Sequence, residues 1–180
     1  MKSPLIALLL AVAPLATPIA PAEVRSITLS KLAVQSELIV VAQVNKLVVR
    51  TEGTFASATP LECWNGVAKG DIEFIVSSTF VCDISKAVPG ERVVLFLSAG
   101  DSGRLSITHY GRGRMPLVTL AGRDIATYWG GVILPEGAPV VTVSKSGGPY
   151  SKGVELGEFK RLVLAALEAA KHAEPTGGAK

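Results

Sequence analysis

The run Glu37–Arg50, ELIVVAQVNKLVVR, limits the folds open to this chain more than any other segment. β-Branched side chains lose rotamer freedom in a helix and pack well on a pleated surface, so the run reads as a strand. With a period of two, Leu38, Val40, Ala42 and Val44 share one face. A strand this long normally bends. The apolar register shifts after Asn45-Lys46, which predicts a bulge there. A kinked strand that serves two sides is what closing a small barrel requires.

The segments that follow supply the remaining walls. Thr54–Val67 reads as a second strand, disturbed in its middle by Pro60, and Lys69-Gly70-Asp71 is a turn signal. In Asp71–Cys82, Ile72, Phe74 and Val76 alternate with Glu73 and Ser77, the mark of a strand with one buried face. Arg92–Ser98, RVVLFLS, is a continuous apolar run and predicts a strand buried on both faces. Ala99–Gly103 is a tight turn, and Arg104–Tyr110 is the fifth strand. Five strands in this order predict a mainly β fold: an OB-like, five-stranded Greek-key barrel. A β-sandwich is the structural alternative.

Helices flank this set. Thr28–Ser36 reads as a short helix capped by Thr28. Glu158–His172 is an amphipathic helix whose stripe is Phe159, Leu162, Val163, Ala166, Leu167 and Ala170. That stripe is expected to cover one open end of the barrel. Between Gly111 and the helix, Met115–Leu120, Ile125–Tyr128 and Val140–Val143 read as small added strands, and Lys145–Gly153 as a polar loop.

The beginning of the chain predicts export. Lys2 precedes a short apolar run, Leu5–Val12, and Ala20-Pro21-Ala22 fits a small-residue cleavage site. Residues 1–22 therefore read as a signal peptide, with a cut after Ala20 as the alternative. Residues 23–173 form a single domain, and 174–180 a flexible tail. The expected location is periplasmic or secreted, with no stable membrane insertion after cleavage. The two cysteines, Cys63 and Cys82, are expected to pair in an oxidising compartment. Closing that loop would stabilise the fold by about 3 kcal/mol. Trp64, next to Cys63, reads as a shield for the bond.

The ordered motifs carry a resemblance. They are the short helix followed by Glu37-Leu38-Ile39-Val40-Val41-Ala42-Gln43-Val44; Val67-Ala68-Lys69-Gly70; Cys82 before Pro89-Gly90-Glu91; and Val94-Leu95-Phe96-Leu97. Gly111-Arg112-Gly113-Arg114 and Leu156-Gly157-Glu158-Phe159 follow in the same order. The pattern resembles exported bacterial domains related to the netrin-like fold, the fold of tissue inhibitors of metalloproteases. The resemblance implies an OB-like barrel and no enzymatic activity. Inhibitors of that kind chelate a protease zinc through an N-terminal Cys, and the expected mature terminus, Glu23, supplies none.

No catalytic, cofactor or metal signature stands out. His109 and His172 with the two cysteines match no zinc spacing, and the chain has no G-x-S-x-G. The net charge of +3 is too small to call for a polyanion, and no nucleic-acid partner is expected. The candidate binding surface is Tyr110, Arg112, Arg114 and Trp129, since cations beside aromatics on a barrel rim are how OB-folds hold ligands. With Arg104 and Arg123 it would make a basic patch; the favoured expectation is instead that such arginines pair with Asp101, Asp124 or other carboxylates. The leading expectation is a non-enzymatic binding module with a protein or glycan partner. A protease or hydrolase inhibitor and a small hydrolase built around His109 are the alternatives.

Overall fold

The computed structural model describes residues 26–76, 87–100, 103–145 and 147–173. The expected signal peptide, the tail and Cys82 lie outside these residues.

The barrel strands are β1 (Leu38–Arg50), β2 (Gly53–Asn65), β3 (Ile72–Ile75), β4 (Arg92–Ala99) and β5 (Leu105–Ile107). Their lateral order is β1–β2–β3–β5–β4, and β4 returns to pair with β1. The β3–β5 contact is parallel and the others are antiparallel. This is a closed five-stranded OB-like barrel. The bulge expected near Asn45 is present, as the β1–β2 register shifts between Val44 and Lys46. Two further shifts lie between Ile39 and Val40 and between Val41 and Ala42, close to Pro60 on the opposite strand. Leu38, Val40, Ala42, Val44, Phe74 and Leu95 belong to the barrel core.

A second layer is built on the outside of the barrel. Strands β6 (Arg114–Leu120), β7 (Arg123–Tyr128) and β8 (Lys152–Glu155) continue the sheet from β4. Ala121 and Gly122 join β6 to β7 with left-handed backbones, the geometry of a two-residue hairpin turn. Helix α1 (Leu29–Val34) and helix α2 (Leu156–Ala173) pack on this layer. Thr28 caps α1, accepting from the Lys31 amide at 3.2 Å. Ile39 and Val41 of β1, and Val94 and Phe96 of β4, face outward into a second core with Trp64, Met115, Phe159, Leu162 and Val163.

The helix stripe therefore covers a wall of the barrel, not its open end. The reason lies in β1 and β4. Both carry apolar residues on both parities, so their outward faces need a cover, and α2 with β6–β8 provides it. Phe159 sets its ring against Phe96 at 6.3 Å and Trp64 at 6.1 Å. Among the described residues no helix is long and apolar enough to cross a membrane.

Candidate functional site

The chain leaves the barrel for the second layer through one strained turn. After β5, His109 and Tyr110 both adopt left-handed backbones, with φ of 52° and 58°. Non-glycine residues resist that region, so two in succession persist only where the surroundings enforce them. The enforcing contacts are visible. The Thr108 amide donates to the Phe96 carbonyl at 2.8 Å. Ser36 joins the Leu32 carbonyl at 2.8 Å and the Thr108 hydroxyl at 3.0 Å, which fastens α1 to the turn. A Cβ on Gly113 would lie 2.5 Å from the Thr108 carbonyl oxygen, so only glycine fits there. A His109 ring nitrogen meets the Gln35 amide oxygen.

Tyr110–Gly113 is a 3₁₀ turn that presents two contrasting side chains. Tyr110 is 55% exposed, while Arg112 is only 7% exposed. The Arg112 guanidinium lies over the Trp129 ring, 5.3 Å from its centroid. Gly131 packs close to it, since a Cβ there would come within 3.0 Å of the Arg112 Nε. That Nε is fully buried and has no hydrogen-bond partner. None of the ion pairs among the described residues includes Arg112: Glu91 pairs with Arg114, Glu52 with Arg104 and Asp124 with Arg92. Burying a charge costs several kcal/mol even after relaxation, whereas a desolvated cation–π contact returns about 2 kcal/mol. The indole alone does not balance the Arg112 charge.

The His109 imidazole and the Lys31 ammonium lie near it. Burial, and then the charges of Lys31 and Arg112, push the His109 imidazole below its ordinary value of 6.5. A group whose folded value is depressed binds its proton better in the unfolded chain. His109 thus favours the fold above pH 6.5, and that contribution is lost as pH falls through its folded value. We expect an NMR titration to place His109 below 6.5 and Arg112→Met to move it up. An ordinary value, unmoved by the substitution, would remove the cationic cluster.

The expected binding surface is only partly assembled. Arg112 and Trp129 meet, and Tyr110 stands beside them on the same turn. Arg114 does not join them: it is 5% exposed and lies against Glu91. Its Nε donates to one Glu91 oxygen at 2.9 Å, its Nη2 to the other, and its Nη1 to the Tyr150 hydroxyl at 3.3 Å. The parity of β6 turns it away from the rim and into this buried fork. Burial works against the Arg114 charge, but the Glu91 pair overrides it and raises the pKa. Arg104 pairs with Glu52 and lies 5.4 Å from the Phe55 ring centroid, so the larger basic patch breaks up into local pairs. Spacing could not reveal these partners, because Glu91, Tyr150 and Glu52 lie far from their arginines in the chain.

Cys63 is exposed and bonded to no cysteine among the described residues, and its expected partner Cys82 lies outside them. Trp64 does not shield it. Strand alternation sends Cys63 outward and Trp64 inward against Phe159. His172 sits at the end of α2 beside Glu168, apart from His109. Among the described residues no three His, Cys, Asp or Glu side chains gather where they could hold a metal ion. A groove lined by Val34, Trp64, Leu164 and Leu167 shares no residue with the rim. Comparison with protein-family models and with curated protein sequences returns no match.

Proposed function

We propose that this chain is a non-enzymatic binding module of the cell envelope or exterior, acting through the turn that carries Tyr110 and Arg112 and through Trp129, which meets Arg112 there. One observation carries the reading: a buried arginine with no carboxylate partner among the described residues, set over the Trp129 ring at a strained turn on the surface that also exposes Tyr110. Aromatic residues and arginine are what binding surfaces concentrate, and strain of this kind collects at functional turns. The barrel order and the flanking helices agree with the netrin-like resemblance, which implies no activity of its own. The pattern of residues 1–22 supports export, and a Cys63–Cys82 bond belongs to the same reading.

The test uses living cells that make the full chain, with a photoreactive residue at Tyr110 or Trp129 and a control at Arg161 on α2. One dominant crosslinked species at the turn, protein or glycan, absent from the control, is the expected result. The exported chain should begin at Glu23 and show no free thiol before reduction. Equal background at all three positions, or a chain retained inside the cell with both thiols free, would sink the reading.

A further inference from the structure

We propose that Arg112 anchors an anion site, and that this site takes one oxyanion group, a carboxylate, sulfate or phosphate, of the bound partner. The inference rests on the turn being the contact face and names what that face recognises. Arg112 is nine-tenths buried, and among the described residues it has no ion pair and its Nε no hydrogen-bond partner. Its guanidinium carbon lies 5.3 Å from the Trp129 ring centroid, and Gly131 packs close to its Nε. The two terminal nitrogens remain, and a guanidinium presents such nitrogens as a fork that fits an oxyanion. Lys31 lies close enough to act electrostatically on His109, as Arg112 does, and its ammonium adds positive potential on this side of the turn. Neither Lys31 nor Arg112 pairs with a carboxylate among the described residues, unlike Arg50, Arg92, Arg104 and Arg114. An arginine kept for stability would have been given a carboxylate, as Arg114 was. Arg112 is held rigid and left unneutralised, which is the state of a site awaiting its counter-charge.

The full mature chain is titrated with sodium sulfate at constant ionic strength, with NMR on the Trp129 indole N–H and the Arg112 Nε–H. Sodium acetate and inorganic phosphate are run the same way. Both signals should shift and saturate. Arg112→Lys should weaken binding about tenfold through loss of the fork, Arg112→Met should abolish it, and Arg161→Met should not change it. In anion-free buffer, Arg112→Met should leave the thermal midpoint unchanged or raise it, because it removes an uncompensated buried charge and keeps an apolar stem. A structural arginine would do the opposite. A uronic-acid oligosaccharide and an Asp/Glu-rich peptide, each compared on wild type and Arg112→Met, tell an acidic glycan from an acidic protein. Non-saturating shifts with every probe, or shifts that survive in Arg112→Met, overturn the proposal. If crosslinking at Tyr110 still succeeds in that case, the contact face stands and the oxyanion assignment alone falls.

Discussion

Replacing Glu91 with Ala is expected to cost about 3–5 kcal/mol of stability, as removing one member of a buried ion pair does. The Glu91 and Arg114 side chains are 13% and 6% exposed. Glu91 also accepts from the Val88 amide at 2.9 Å, and its own carbonyl accepts from the Val44 amide at 2.9 Å. The loop before β4 is therefore locked to β1 while its carboxylate reaches across to β6. Taking away the carboxylate leaves Arg114 charged and buried, with only the Tyr150 hydroxyl still accepting from it among the contacts described above. Removing both charges is a different experiment. Glu91→Leu with Arg114→Met should lose far less than Glu91→Ala, because no orphaned ion remains. Urea unfolding of the two variants decides it. A loss below about 1 kcal/mol for Glu91→Ala would show the pair to be solvated like a surface pair.

The second large effect is expected at Phe159→Ala, about 3–5 kcal/mol. Phe159 is fully buried and bridges α2 to the barrel wall between Phe96 and Trp64. Its loss opens a cavity at the seam of the two layers. Hydrogen exchange should then rise in 156–173 before it rises in β1, β2 and β4, since the helix loses its anchor while the barrel core keeps its own contacts. Even loosening across the whole chain, or a loss below about 1 kcal/mol, would mean that α2 is held by its other apolar residues.

Local chemistry made the barrel legible. The β-branched run of β1, its register shift at Asn45 and the doubly buried run of β4 are statements about single segments, and the structure bears them out. The cover of the barrel was less legible. The stripe on α2 was readable, but the surface it meets is set by the outward residues of β1 and β4, which periodicity places on a face without naming a partner. The site divides the same way. A cation and an aromatic near each other in sequence, as in Tyr110-Gly111-Arg112, were visible, and so was Trp129. That Arg112 would be left without a carboxylate while Arg114, two residues on, received one depends on loops that meet only after folding. The left-handed backbones at His109 and Tyr110 had little sequence signal: histidine is enriched there without being common, and tyrosine is not enriched.

Strands β1 and β4 are a party wall between two rooms. Ile39 and Val41 furnish one side and Val40 and Ala42 the other, and Val94 and Phe96 stand back to back with Val93 and Leu95. In an ordinary barrel strand every second position is free to drift, and a lineage can add or shed peripheral elements at little risk. Here no position in the shared stretch has that freedom. The added layer cannot be trimmed or exchanged without stripping one side of the wall.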